Sequence, residues 1–330
     1  MNMRLSYYHP STVIFVDDQQ AFLTAIKNRL PQQMMALFFN DATSALKKII
    51  MEKLPQNTNL QALSEVDDFF EIEHQSNNET FLSLKLGEVC KTIYNANRFA
   101  EISVVIVDRI MPSLDGMDFC RKLIDHPIKK IMLTASKDRK VATEAFNEGI
   151  IDFFLLKDSP NLISQLCTAI KAMQKDYFQS LTKQTFGSTL ALAVPAINND
   201  SIAHFLRNKM EELNAVEFYL LDKWGSMLFV TYDGTPTTLA ILPENIMNTY
   251  ASIAQEHEEE SIAEILISRE KLLFFPQTTD CMCPVTSWSN FLFEANPFPD
   301  QSNLFYSVIR SPHHQPVHIE RVCSQKLYMI

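Results

Sequence analysis

The sequence predicts an α/β protein: a five-stranded parallel sheet with helices on both faces, followed by an α+β domain on an antiparallel sheet. Three observations predict this. Short apolar runs alternate with helix-spaced segments as far as about residue 175. The alternation stops after Phe186. Beyond it, turn signals at Lys223 to Gly225 and at Asp233-Gly234 separate short apolar runs, the pattern of an antiparallel meander. A length of 330 residues also suits two domains rather than one.

The elements follow in order. Thr12 to Val16 is a β-branched and apolar run that ends at Asp17 and Asp18. Gln19 to Leu30 places Ala21, Phe22, Ala25, Ile26 and Leu30 at helical spacing, and Pro31 ends it. Met34 to Phe39 reads as the second strand, and Asp41 as the N-cap of a helix from Ala42 to about Met51. Residues 52–98 then interrupt the alternation with a polar segment rich in Asn and Gln. This reads as an insertion with a helical portion around Thr80 to Tyr94. Its connection opens at the bottom of the sheet, which suits contact with a partner or a second subunit rather than catalysis. Ser103 to Val107 is the third strand, with a helix from about Met117 to Ile124. Lys129 to Leu133 is the fourth strand, followed by a helix over Asp138 to Asn147, and Asp152 to Leu156 is the fifth. The last helix starts near Pro160, a residue suited to the first helical turn, and runs to about Thr185 as a long connector.

In the second half, Asn198 to Leu213 is an amphipathic helix with Ile202, Phe205, Leu206 and Met210 on one side. A meander follows from Val216 to Leu242, then one long helix over residues 243–269 with the acidic run "EHEEE" inside it. "KLLFF", "SWSNFLFEA" and "NLFYSVIR" supply three more strands, giving an antiparallel sheet with helices at one side. The run "FYLLDKWGSMLFVTYDG" is similar to the paired central strands of PAS-like sensory domains. The domain boundaries so read are 1–175, a connector over 176–197, and 198–330.

Composition excludes several classes. No apolar run is long enough to span a bilayer. The N-terminus has one basic residue before Asp17 and no small-residue cleavage site, so it does not read as a signal peptide. Six cysteines spread over the chain fit free thiols in a reducing cytoplasm. The net charge of -10 is uneven: residues 187–330 carry 8 Lys and Arg against 17 Asp and Glu. A DNA-binding domain draws most of its affinity from phosphate neutralisation by a basic face, so the acidic balance speaks against DNA.

In an open parallel sheet, sites lie beyond the carboxyl ends of the strands. That rule selects Asp17 and Asp18 after the first strand, Asp108 after the third, Thr134 after the fourth and Lys157 after the fifth. Converging carboxylates repel unless a cation is among them. Oxygen ligands of this kind suit Mg2+, which binds through one or two carboxylates plus a phosphoryl oxygen. Lys157 adds a positive charge and Thr134 a hydroxyl donor, so the chemistry implied is attack by Asp108 on a phosphoryl donor to give an aspartyl phosphate. Taken singly, each of these residues has a plainer reading as a helix cap, a solvated turn or a surface lysine.

The blocks "VIFVDD", "VVIVDRIMPSLDGMDF", "IMLTAS" and "AFNEGIIDFFLLKD" together resemble the successive motifs of a bacterial two-component response-regulator receiver domain. The resemblance covers roughly residues 10–175. It implies a flavodoxin-like (βα)5 fold with strand order 2-1-3-4-5, and Asp108 as phospho-acceptor. It implies Asp17 and Asp18 as the metal-side acids, Ile110 as donor of a backbone carbonyl to the metal, and Thr134 as the switch hydroxyl with Lys157 as its lysine. It further implies a sensor histidine kinase as phosphoryl source, and a receiver that catalyses only its own phosphorylation and dephosphorylation. The chain departs from the pattern in three places, the 52–98 insertion among them. Asp158 follows Lys157 where receivers carry a proline, and Phe154 stands at the second switch position, where it offers packing without a hydroxyl. The arrangement also resembles the quorum-sensing response regulators of Legionella type, which pair a receiver with a poorly classified output domain.

Output chemistry is harder to read. No basic helix-turn-helix, Gly-rich phosphate loop or cyclic-dinucleotide motif is visible. Cys281 and Cys283 with His313, His314 and His318 fit no zinc spacing. The leading expectation is a phospho-switched signalling protein whose face of fourth helix, fifth strand and fifth helix alters a homodimer or a contact with a protein or small ligand. The alternatives are a transcription factor with an unusual DNA-binding fold and an output domain that binds or turns over a nucleotide.

Overall fold

The helical crossovers that make the first sheet parallel also bury it on both faces. In the computed structural model, which describes residues 5–53, 97–135, 139–186, 199–275 and 284–310 together with positions 89, 92, 93 and 95, every residue of the strand Thr12–Val16 is buried. Such a strand needs helices above and below it. We number the elements in chain order. The strands of the first sheet are β2 (Thr12–Val16), β3 (Ala36–Phe39), β4 (Ile102–Asp108), β5 (Lys129–Thr134) and β6 (Phe153–Leu156), in the order β3-β2-β4-β5-β6 with parallel pairing throughout. Counted from the first strand of this sheet, that is the expected 2-1-3-4-5.

The helices are α1 (Gln20–Lys27), α2 (Ala42–Lys53), α3 (Gly116–Lys122), α4 (Arg139–Asn147) and α5 (Leu162–Phe186). Alternate strand residues point to opposite faces. Val13 and Phe15, Val104 and Ile106, and Ile131 and Leu133 share a core with Leu23 and Ile26 of α1 and with Leu162, Leu166 and Ile170 of α5. Their neighbours Ile14, Val16, Val105 and Val107 are buried on the other face. The lower end of the sheet is closed by polar contacts. Gln174 of α5 donates to the Ser11 carbonyl at 3.2 Å, Tyr177 donates to Glu101 at 2.7 Å, and buried His9 lies 3.1 Å from the same carboxylate.

The chain divides into two compact units, with boundaries between Tyr8 and His9 and, within α5, between Leu181 and Thr182. The second unit holds a six-stranded sheet in the order β1-β7-β8-β9-β13-β12, all antiparallel, from β1 (Tyr7–Tyr8), β7 (Ala215–Leu220), β8 (Met227–Thr231), β9 (Pro236–Pro243), β12 (Asn296–Phe298) and β13 (Gln301–Ile309). A two-stranded ribbon pairs β10 (Lys271–Leu273) with β11 (Leu292–Glu294). Its helices are α6 (Asp200–Glu212), α7 (Glu244–Glu256) and α8 (Glu260–Ser268).

Four features of this unit differ from the sequence reading. Tyr7–Tyr8 was placed with the first domain but pairs with Tyr219 and Phe218 of β7, so the second sheet takes its edge from the start of the chain. A two-residue strand carries too little pattern to be seen in the sequence. Helices cover both faces, not one: Phe305 of β13 packs with Met247 of α7, whereas the adjacent Tyr306 meets Phe205 of α6 with ring centroids 4.8 Å apart. The expected single helix over 243–269 is a pair, α7 and α8, broken where Glu258 takes a positive φ of 62°. Like charges at Glu256, Glu258, Glu259 and Glu260 oppose a continuous helix, and the break lets Ala251 and Ala254 share one core with Ala263 and Leu266. Val285–Phe291, expected in part as strand, is a 3-10 helix that buries Trp288. The greater part of the 52–98 insertion and the Cys281, Cys283, His313, His314 and His318 group lie outside the described residues.

Candidate phosphoryl-transfer site

Two strands, β2 and β4, deliver the acidic groups to one edge. Asp17 follows β2, and its backbone N–H donates to the Phe39 carbonyl at 3.1 Å, extending the ladder by one residue. Asp108 is the last residue of β4, opposite Leu133 of β5. Asp17, Asp18 and Asp108 each offer a carboxylate oxygen within 4.8 Å of the others. Asp17 and Asp108 are buried, at 1% and 6% exposure, and Asp18 is exposed.

Lys157 follows β6 and is placed by its own N–H, which donates to the Thr134 carbonyl at 2.9 Å. Its ammonium lies 2.6 Å from Asp17 and 2.9 Å from Asp108, so one cation bridges both buried acids. Burial pushes the Asp17 carboxyl up. That outweighs the hydrogen bond from Lys157, the Gln19 N–H and the lysine charge, all of which pull it down, and the Asp108 charge adds to the rise. Burial thus disfavours the charged form of this carboxyl even beside the lysine. The donor set consists of oxygens, and it fits a hard divalent cation such as Mg2+ better than a soft one.

Thr134 is buried at the end of β5, and its hydroxyl donates to the Ala135 carbonyl at 3.4 Å, the outer limit for a hydrogen bond. Phe154 lies in β6 opposite Met132 and is half-buried. Ile110, in the loop after Asp108, is exposed. The structure thus brings Asp17, Asp18, Asp108 and Lys157 into one cluster. It puts Thr134 at the same edge and Phe154 inside the adjoining strand.

Three supporting roles escaped the sequence reading. Gly116 opens α3 against the site itself: a Cβ there would come 2.1 Å from the Asp108 carbonyl oxygen. Its N–H donates to the Arg109 carbonyl at 2.9 Å, and Asp115 caps the helix by accepting from the Met117 N–H at 2.8 Å. The "PSLDG" turn is therefore a close approach of backbone to backbone, which only glycine allows. Phe22 of α1 presents its ring to Lys157. The third is the role of Asp41 beyond its expected cap. It accepts from the Ser44 N–H at 2.7 Å, as a cap does, and also from the Ser113 hydroxyl at 3.1 Å, tying the loop after β3 to the loop after β4.

Asp41 yields a testable expectation. Its hydrogen bonds with Ser44 hold the carboxyl below the usual carboxylate range. A carboxyl lowered in the folded state contributes stability above its unfolded value, and the contribution is lost as pH falls through the lowered value. Asp41→Ala is expected to cost about 1 kcal/mol at neutral pH, as cap removal does. Asp41→Asn, which still caps, is expected to cost less and to lose the acid-side dependence. Urea midpoints between neutral and acid pH check both.

Residues 74–171 match the family model of the response regulator receiver domain. The matched span holds Asp108, Thr134 and Lys157; the Asp17–Asp18 block lies before it and reaches the site through the fold. The structure of the Legionella pneumophila response regulator LqsR is similar over 94% of this chain and 90% of its own, with 29% identity and a TM-score of 0.71. Two shorter structures overlap about half of the chain. An adenylate cyclase structure from Rhodopirellula baltica covers 53% of this chain and 95% of its own, at 22% identity and TM-score 0.35. A response regulator receiver domain protein from Clostridium thermocellum covers 50% and 94%, at 23% identity and TM-score 0.33. At those TM-scores neither likeness carries weight for this chain. No curated protein matches the sequence.

Proposed function

Because this chain carries a response-regulator receiver domain, we propose that it is a phospho-switched signalling protein whose Asp108 accepts a phosphoryl group from a sensor histidine kinase. The observation that carries the reading is the single ammonium of Lys157 bridging Asp17 and Asp108, with Asp18 beside them, at the carboxyl edge of the sheet.

An Asp108 carboxylate oxygen attacks the phosphorus in line. The new P–O bond forms as the bond to the donor nitrogen or oxygen breaks, and the leaving group departs with its electron pair. Asp17, Asp18, Asp108 and the Ile110 carbonyl would hold Mg2+, which supplies charge neutralisation on the phosphoryl oxygens when bound. Lys157 then exchanges its carboxylate partner for a phosphoryl oxygen, and Thr134 turns its hydroxyl from the long Ala135 contact to another. Phe154 responds to the space that Thr134 leaves. The face of α4, β6 and α5, where Phe146 and Phe153 are exposed, is the surface this repacking would reach. A homodimer contact there would couple the switch to output.

The proposed division is a receiver to about residue 175, a connector over 176–197 and an output domain over 198–330, with Tyr7–Tyr8 added to the output sheet. The output domain is read as a binder of protein or a small ligand, in the cytoplasm, and the resemblance of the sequence to quorum-sensing regulators of Legionella type is the ground for proposing a quorum-sensing role. No described helix is long and apolar enough to cross a membrane. The test is labelling with a small acyl phosphate: acid-labile phosphate is expected with Mg2+ and none with chelator. Labelling that ignores chelation would remove the metal from the reading. Size-exclusion chromatography with donor and Mg2+ is expected to shift toward dimer; an unchanged elution volume would remove the dimer coupling.

A further inference from the structure

Lys157 has a third neighbour besides its two carboxylates. Its ammonium lies 4.7 Å from the ring centroid of Phe22, within the roughly 6 Å at which a ring face attracts a cation. Phe22 is placed firmly. Asp17 accepts the Gln19 N–H at 2.9 Å, and the Phe22 and Leu23 N–H groups both donate to the Gln19 carbonyl, at 2.9 and 3.1 Å. The aspartate that pairs with Lys157 thus also fixes the helical turn that carries the ring.

The ring has something to hold the lysine against. A cavity of about 600 Å3 opens between α1 and the start of α5, lined by Phe22, Lys157, Arg29, Asn161 and Ile163 among others. A lysine stem is flexible and its head strongly hydrated, so an open space beside it invites the ammonium to leave the carboxylates for water.

We propose that Phe22 is a positioning residue for phosphoryl transfer: its ring face holds the Lys157 ammonium over Asp17 and Asp108 instead of letting it turn into the cavity. This rests on the receiver reading above. The contact of Phe22 is with Lys157, so its effect passes through that lysine. The ring competes with water for the cation in a half-buried setting, between the exposed and desolvated limits of such contacts.

The test compares Phe22→Leu, which keeps an apolar side chain of similar size without the ring quadrupole, with Phe22→Tyr, which keeps the ring. Labelling with the small acyl phosphate and Mg2+ is followed at varied donor concentration. Phe22→Leu is expected to lower the maximal rate about 3- to 30-fold, the range such contacts span, with half-saturation unchanged. Phe22→Tyr is expected to label within about twofold of the parent. A readout without donor or metal accompanies it. The ammonium resonance of Lys157, identified by its loss in Lys157→Gln, is expected upfield in the parent and Tyr proteins and shifted back in the Leu protein. A Leu protein that labels like the parent, or a Tyr protein that falls as far as Leu, would overturn the proposal. So would a lysine resonance unmoved by Phe22→Leu. Asp108→Asn run alongside separates the two readings: if it still labels, the site assignment fails; if it is silent while Leu has no effect, only the role of Phe22 fails.

Discussion

Gly116→Ala is expected to cost about 1–3 kcal/mol of stability, the range for overpacking a site that cannot give way, and to lower the labelling rate about 100-fold. The cause is position, not backbone freedom. A Cβ at residue 116 would come 2.1 Å from the Asp108 carbonyl oxygen and 3.0 Å from the Arg109 Cα. Both neighbours are main chain, so neither can rotate aside. To admit a methyl group, the start of α3 must retreat or the end of β4 must shift, and Asp108 moves with it. A displacement of that kind, small against the fold, is large against the in-line geometry of transfer. Urea unfolding gives the stability and acyl phosphate labelling gives the rate. An alanine protein with parent stability and parent rate would show that the two backbones separate freely, contrary to the packing described.

Lys157→Met is expected to act more strongly on stability and to make it depend on pH. The lysine side chain is 18% exposed and bridges carboxylates that are nearly or fully buried. Removing one partner of a buried pair leaves its charge uncompensated, at a cost of about 3–5 kcal/mol; here two acids are left facing each other. Lys157 lowers the Asp17 carboxyl by hydrogen bond and by charge, so without it that carboxyl, already raised by burial, rises further. A carboxyl raised in the folded state costs stability when ionised. The cost is full above the raised value and disappears below the ordinary one, near 3.8. The methionine protein should therefore gain stability relative to the parent as pH falls through the raised value toward 3.8. Added Mg2+ should restore part of the loss at neutral pH, since a ligand of the folded state stabilises it. Denaturation midpoints across pH, with and without Mg2+, check both. A methionine protein as stable as the parent at neutral pH would mean that the two acids are not repelling there.

The receiver fold and its acidic edge were legible in the sequence because each rests on a local signal. Apolar runs of strand length end at Asp17, Asp108, Thr134 and Lys157, and the rule for open parallel sheets brings those ends together. What escaped needs two distant segments at once. Nothing local marks Gly116, because the Asp108 carbonyl it approaches is not its neighbour in the sequence. Phe22 fitted the apolar face of α1, and only the fold puts the lysine after β6 against its ring. Asp41 was read correctly as a cap, but its bond to Ser113 spans two loops. In the second unit, Tyr7–Tyr8 pairs with residues more than two hundred positions later, beyond the reach of any periodicity. The break between α7 and α8 was visible as the run of glutamates, but a charge run reads equally as a solvated helix face.

The most direct test of the central claim is acid-labile labelling of Asp108→Asn by a small acyl phosphate with Mg2+, beside the parent protein at equal concentration. Asparagine is close in shape, so the fold should stand while the nucleophilic carboxylate is gone. The expected result is a labelled parent and an unlabelled, folded Asp108→Asn protein. A variant that labels like the parent would contradict the account, because the phosphoryl group would then rest on another residue.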